Sequence, residues 1–431
     1  MASSTLLLIM IAVFLVLALL GLPIAISIGV ASLGALLMQG DIPLTIMAQR
    51  MYSSVNSVTL MGIPFFMLVG NIMGRSGITA RLIRFCNAIV GWMMGGLCYA
   101  ATLAGMMLGA VSGSAPASTA VLSSVMVPKM EELGYKREFS SAIMVASGSI
   151  GIIIPPSMPM IVLGSLTGIS VGKLFMGGVI PGIMIGLSFM IVSFFVCKTK
   201  GYGEAARVPF SMKELWESFK QAILPMIAPI IIMGGIMSGV FTATESAVVA
   251  VVYTLFLGVF IYRTIALQDL PKLFAEAMLM AANVMLIIAA SSVFAWILQS
   301  NNFGQIIQSL FSGALHSKIL IMVIVNLIFF AGGFFLEGTA MQIMFIPILY
   351  PIVTLAGIDP VAFGVTVIVN IALGTITPPV AVCLYVASSS ANVAVEKIIK
   401  EVIPYVIALA VDIVILILCP QLITFMAQFV S

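Results

Sequence analysis

Five stretches of this 431-residue chain, residues 1–40, 85–128, 139–172, 174–197 and 277–315, contain no Asp, Glu, Lys or Arg. Each exceeds the roughly 20 apolar residues that carry a helix across a bilayer. A chain dominated by such stretches is a membrane protein. The 62% apolar content, against about 45–50% in soluble domains, agrees with this. The 18 basic and 15 acidic residues leave a net charge of +3, too small and too dispersed for a nucleic-acid footprint. The membrane-length apolar stretches exclude a soluble enzyme.

No Lys or Arg precedes Arg50, so the first apolar stretch lacks the basic flank of a signal peptide and is expected to stay in the membrane. The five cysteines, Cys86, Cys98, Cys197, Cys383 and Cys419, lie far apart with no C-x-x-C, which indicates buried small side chains rather than a disulfide framework or zinc site. His316, the single histidine, stands among polar residues. It provides neither a metal cluster nor a Ser-His pair.

Dividing the apolar runs at charges, prolines and glycines predicts an all-α polytopic protein with about ten full crossings. They fall near residues 5–21, 23–39, 59–74, 139–168, 175–196, 221–240, 246–262, 275–298, 360–390 and 402–425. Two further segments, 93–128 and 319–351, are broken at Ser112-Gly113-Ser114 and at Glu337-Gly338-Thr339, with a proline about a dozen residues on. An arm of that length reaches roughly 18 Å, short of a hydrocarbon core about 30 Å thick, so re-entrant hairpins are predicted. With the N-terminus outside, fifteen Lys and Arg fall in inner loops and only Arg50, Lys173 and Lys318 outside, as the positive-inside rule requires. Met212, Leu215, Trp216 and Phe219 follow helical spacing among charges and predict an amphipathic helix lying on the inner membrane surface.

The chain also repeats itself. Gly151-Ile152-Ile153-Ile154-Pro155-Pro156 recurs 223 residues later as Gly374-Thr375-Ile376-Thr377-Pro378-Pro379, and the same offset relates Pro128 to Pro351 and Val179-Ile180-Pro181 to Val402-Ile403-Pro404. The loop after Pro128 carries three basic residues and its counterpart after Pro351 none, so the copies, residues 1–220 and 221–431, are expected to face opposite sides. Inverted repeats with broken helices around a midplane site characterise secondary transporters.

Neither broken helix can continue through its Pro-Pro pair, because each proline removes an N–H and clashes with the preceding turn. The carbonyls freed there, with the hydroxyls of Ser112, Ser114, Ser149, Ser157, Thr339, Thr375 and Thr377, form an uncharged oxygen-rich environment suited to Na⁺. Helix N-termini at the hairpin tips suit a substrate carboxylate. Glu337, an acid inside an apolar segment, is a functional candidate by position. Thr242-Ala243-Thr244-Glu245 reads instead as a capping box.

These motifs, Ser112-Gly113-Ser114, Gly151 to Ser157, Thr244-Glu245-Ser246-Ala247 and Gly374 to Pro379, resemble the large membrane subunit of TRAP transporters, the tripartite ATP-independent periplasmic systems, over essentially the whole chain. The resemblance implies a Na⁺-driven importer of organic acids in the bacterial inner membrane, with an elevator mechanism and at least two Na⁺ ions. It implies two partners, a periplasmic substrate-binding protein and a separate small four-helix membrane subunit. Carried over by position, one Na⁺ site comprises Ser112, Ser114, Gly151, Ile154 and Pro156, mainly through carbonyls, and the other Gly338, Thr339, Gly374, Thr377 and Pro379. Substrate lies between them, near Ser157, Asn370 and Thr375. The rival readings are a stand-alone ion-coupled carboxylate symporter, an intramembrane hydrolase, which lacks a nucleophile–base pair here, and a passive channel.

Overall fold

The computed structural model describes residues 3–58, 60–203, 209–302, 317–334 and 336–430. The expectation for His316 lies outside the described residues. Among those residues every regular element is helical. Six helices are long and apolar enough to cross a membrane, and shorter apolar helices such as Ile24–Gln39, Gly96–Ser112 and Pro360–Ile376 accompany them. The chain is a multi-pass membrane protein.

The helices form two packing groups. In one, Gly62–Arg75, Met212–Met237, Ala243–Phe256 and Leu270–Ser300 lie against one another, and Ser3–Leu19, Ile24–Gln39 and Thr45–Val55 complete the group along Leu270–Ser300. In the other, Arg137–Ser149 and Pro360–Ile376 sit at the centre. Every residue from Phe139 to Ser149 and from Val361 to Gly374 is buried. Val361 to Gly374 is apolar apart from Thr366 and Asn370, as such an interior requires, whereas Arg137–Ser149 buries four serines, of which Ser140, Ser141 and Ser149 donate to backbone carbonyls. By contrast, Ile183, Leu187, Ile191 and Phe195 recur every four residues along Val171–Lys200 and are exposed, forming a lipid-facing stripe.

Both interrupted segments are helical hairpins. Gly96–Ser112 turns at Gly113 into Ala115–Glu132, and Lys318–Gly333 is followed by Gly338–Leu355. Their second arms are longer than expected. Each has 18 residues, about 27 Å, because the helix accommodates Pro128 in one and Pro347 and Pro351 in the other without stopping. A second correction concerns residues 212–219. They are not a separate surface helix but the first turns of a continuous Met212–Met237. Phe219 packs on Phe85, and Arg84 donates to Glu214 at 2.7 Å and 2.9 Å, so this end is held by the Ile78–Val90 helix.

Ion pairs tie charged segments together: Arg75 with Glu276, Arg84 with Glu214, Lys397 with Glu138 and Lys200 with Glu401 each join segments remote in sequence. Four cysteines are buried and Cys419 is exposed.

Candidate functional site

The first hairpin turns because Gly113 adopts φ 60°, a left-handed conformation open to glycine, and caps Gly96–Ser112. Ser114 then opens the second arm, its hydroxyl accepting from the Ala117 N–H at 3.4 Å. Ser112 lies beside it: its hydroxyl is 3.1 Å from that of Ser118 and accepts from the Ser114 N–H at 3.3 Å. The broken helix closes on this tip. Arg137–Ser149 tightens into a single 3₁₀ turn over Ile150–Ile152, loses its ladder at the cis Pro155-Pro156 bond, and restarts at Met158. The Met158 N–H donates to the Gly113 carbonyl at 3.4 Å. A Cβ on Gly151 would stand 3.0 Å from the Ser118 hydroxyl and 3.2 Å from the Ser114 carbonyl. Ser112, Ser114, Gly151 and Pro156 therefore come together, with Ser118 among them. Ile154 directs its side chain toward Gly182.

The second tip is built differently. Glu337 caps Gly338–Leu355, accepting from the Ala340 N–H at 3.4 Å and from the Thr339 hydroxyl at 3.0 Å. Thr375 and Thr377 turn their hydroxyls back onto the Ala372 and Leu373 carbonyls at 2.7 Å, within the last turn of Pro360–Ile376. After the cis Pro378-Pro379 bond the chain resumes at Val382, and no side chain caps that helix start.

The two tips meet at one cavity. A space of about 210 Å³ is bounded by Ser114 and Pro116 of the first hairpin, Glu337 and Thr339 of the second, and Ile63 and Met67 from the other packing group. It adjoins a smaller space of about 80 Å³ that shares Pro116, Pro159, Glu337 and Thr339 and reaches Gly374, Thr375 and Val382. Four helices thus begin at its wall, at Ala115, Met158, Gly338 and Val382. No Lys or Arg lines the cavity; the N-terminal N–H groups and dipole ends of these helices are its positive elements, set against the Glu337 carboxylate on the same wall.

Residues 11–422 match the family model described as "Tripartite ATP-independent periplasmic transporter, DctM component". The chain belongs to this family. It is a transport permease and not an enzyme. This DctM-family chain is 32% identical to the sialic acid TRAP transporter large permease protein SiaM of Vibrio cholerae over 93% of each chain. It is 37% identical to the C4-dicarboxylate TRAP transporter large permease protein DctM of Pseudomonas aeruginosa over 87% of each. It is also 36% identical to the isethionate TRAP transporter permease protein DctMQ of Oleidesulfovibrio alaskensis, matching 90% of this chain but spanning only 61% of that relative. In structure it is similar to the YdaH transporter of Alcanivorax borkumensis, with a TM-score of 0.62, 13% identity and 88% of each chain covered, a likeness of fold.

Within this permease the proposed substrate contacts separate. Thr375 lines the cavity. Ser157 is buried, donating to the Ile152 carbonyl at 2.5 Å while capping Met158–Thr167. Asn370 is buried and donates to the Asn326 carbonyl and side-chain oxygen, both at 2.9 Å. Sequence reasoning missed Ser118, whose position one turn after Ser114 on the new helix was the available signal. It also missed Ile63 and Met67, which carry no chemical mark of their role.

Proposed function

We propose that this permease is the large membrane subunit of a Na⁺-coupled importer of an organic acid, which it receives from a periplasmic binding protein while bound to a small four-helix membrane subunit. The observation that carries the reading is the convergence of four helix N-termini on one cavity between the hairpin tips. An anion entering that space meets the oriented backbone donors of the helix starts. Na⁺ supplies the remaining positive charge. Ser112, Ser118, the carbonyls of Gly113 and Ser114 and the Pro156 carbonyl form an uncharged donor set for one ion. Gly338, Thr339, Gly374 and Thr377, with Pro379, are proposed for the second. Among the described residues no trio of His, Cys, Asp or Glu offers a transition-metal alternative.

In this reading the hairpins are re-entrant, which rests on the family resemblance and no longer on arm length, and residues 1–220 and 221–431 are inverted repeats in the inner membrane, with both termini periplasmic. The group centred on Arg137–Ser149 and Pro360–Ile376 moves against the group that includes Gly62–Arg75 and Leu270–Ser300, as an elevator. Relatives named for sialic acid, C4-dicarboxylates and isethionate support an organic acid as cargo. Near end-to-end similarity to TRAP large permeases favours this reading over a stand-alone symporter.

Uptake by proteoliposomes tests it. Accumulation should require inward Na⁺, the small subunit and the loaded binding protein. Uptake driven as well by a proton gradient without Na⁺ would overturn the coupling and point to Glu337 as a proton carrier.

A further inference from the structure

A second cavity, of about 330 Å³, lies at the Ser300 end of Leu270–Ser300, whose other end carries Glu276 paired with Arg75. Arg50 and Ser54 of Thr45–Val55, Trp296 and Gln299 of Leu270–Ser300, Ser165 of Met158–Thr167 and Tyr350 of Gly338–Leu355 contribute to its wall. It therefore joins Leu270–Ser300 to Met158–Thr167 and Gly338–Leu355, two of the four helices that begin at the hairpin-tip cavity.

The chemistry of this wall is specific. Arg50 is its only charged residue among the described residues, and its guanidinium makes no ion pair or hydrogen bond there. It stands 5.5 Å over the Trp296 ring, and its own carbonyl accepts from the Ser292 hydroxyl at 3.0 Å, which fixes the backbone that presents it. A planar cation with free donors matches a carboxylate. Trp296 and Tyr350 supply flat apolar faces, and the hydroxyls of Ser165 and Tyr350 and the Gln299 amide supply donors and acceptors, while Ser54, Ser291 and Ser292 donate to backbone carbonyls and offer acceptors. The volume falls within the range of small-molecule sites.

We propose that this cavity is a reception site for a polyhydroxylated organic acid: Arg50 holds the carboxylate, Trp296 stacks against the carbon skeleton, and the hydroxyl-rich wall takes the cargo's own hydroxyls. The proposal rests on the importer reading for its orientation toward the periplasm and for the cargo class. The site holds the acid without Na⁺, since none of the proposed cation ligands reaches it. Cargo pauses here between the binding protein and the hairpin-tip cavity.

The test uses the assembled transporter in membrane vesicles, with the five native cysteines replaced and Ser54→Cys as the only thiol. Its labelling rate by an impermeant thiol reagent is followed in Na⁺-free medium with N-acetylneuraminate, gluconate or succinate. The two hydroxylated acids should slow labelling saturably and succinate should not. Arg50→Gln should raise the concentration for half-protection about tenfold or more, the loss of one charge-assisted pair, with Arg50→Lys between. Protection by none of the three acids, or equal protection in Arg50→Gln, would overturn the proposal and leave Arg50 as an interfacial anchor. Na⁺-driven uptake by the same vesicles is scored separately: loss of protection with intact uptake removes the reception site alone, whereas protection without Na⁺-driven uptake removes the coupling reading alone.

Discussion

Gly109 and Gly151 touch backbone to backbone: a Cβ added to Gly109 would lie 2.5 Å from the Gly151 Cα. The contact joins the first arm of the first hairpin to the 3₁₀ turn where the broken helix begins to unwind. The second half of the chain carries a looser version, in which a Cβ on Gly333 would lie 3.3 Å from the Gly374 Cα.

Gly109→Ala should therefore force hairpin and broken helix apart, with an overpacking cost of about 1–3 kcal/mol. Gly333→Ala should cost less. Thermal unfolding of the purified complex measures both, and the order of the two melting temperatures is the decisive result. Equal stability would mean that the first contact is slack.

Ser118→Ala should raise the Na⁺ concentration for half-maximal uptake. The hydroxyl lies 3.1 Å from that of Ser112 at the proposed cation site. Removing one buried oxygen costs of order 1–3 kcal/mol, about 5- to 150-fold in affinity. Assembly with the small subunit should be unaffected, as co-purification would show. Uptake with unchanged Na⁺ dependence would leave Ser118 a packing residue.

The two hairpins should open toward opposite sides. Cysteines placed singly at Lys136 and Asp359, in a chain without native cysteines, should react with an impermeant reagent in intact cells only at the second. Labelling of both would remove the inverted arrangement on which the elevator depends.

The features legible in the sequence are those set by local covalent chemistry. Pro155-Pro156 and Pro378-Pro379 end helices wherever they occur. Thr242 and Glu245 form the capping box their spacing announced, with the Thr242 N–H donating to the Glu245 carboxylate at 2.8 Å. Features that depend on remote partners were not legible. The polar run after Met212 resembles a surface helix until Ile78–Val90 supplies Arg84 and Phe85 against its side. Asn370 has the chemistry of a substrate contact, and only the neighbouring Asn326 reveals where its amide is used. Helical period shows which face is buried but not what it meets, so the Gly109–Gly151 contact leaves no periodic trace.

The four helix starts around the hairpin-tip cavity have an evolutionary consequence. Their donors are main-chain amides, which no point mutation deletes except one to proline. On the proposed reading, a lineage can therefore exchange side chains around this cavity and keep the main-chain donors that would hold negatively charged cargo. Diversification of diet would then fall to the rim and to the proposed delivery protein, while the ring of main-chain donors is inherited with the backbone itself.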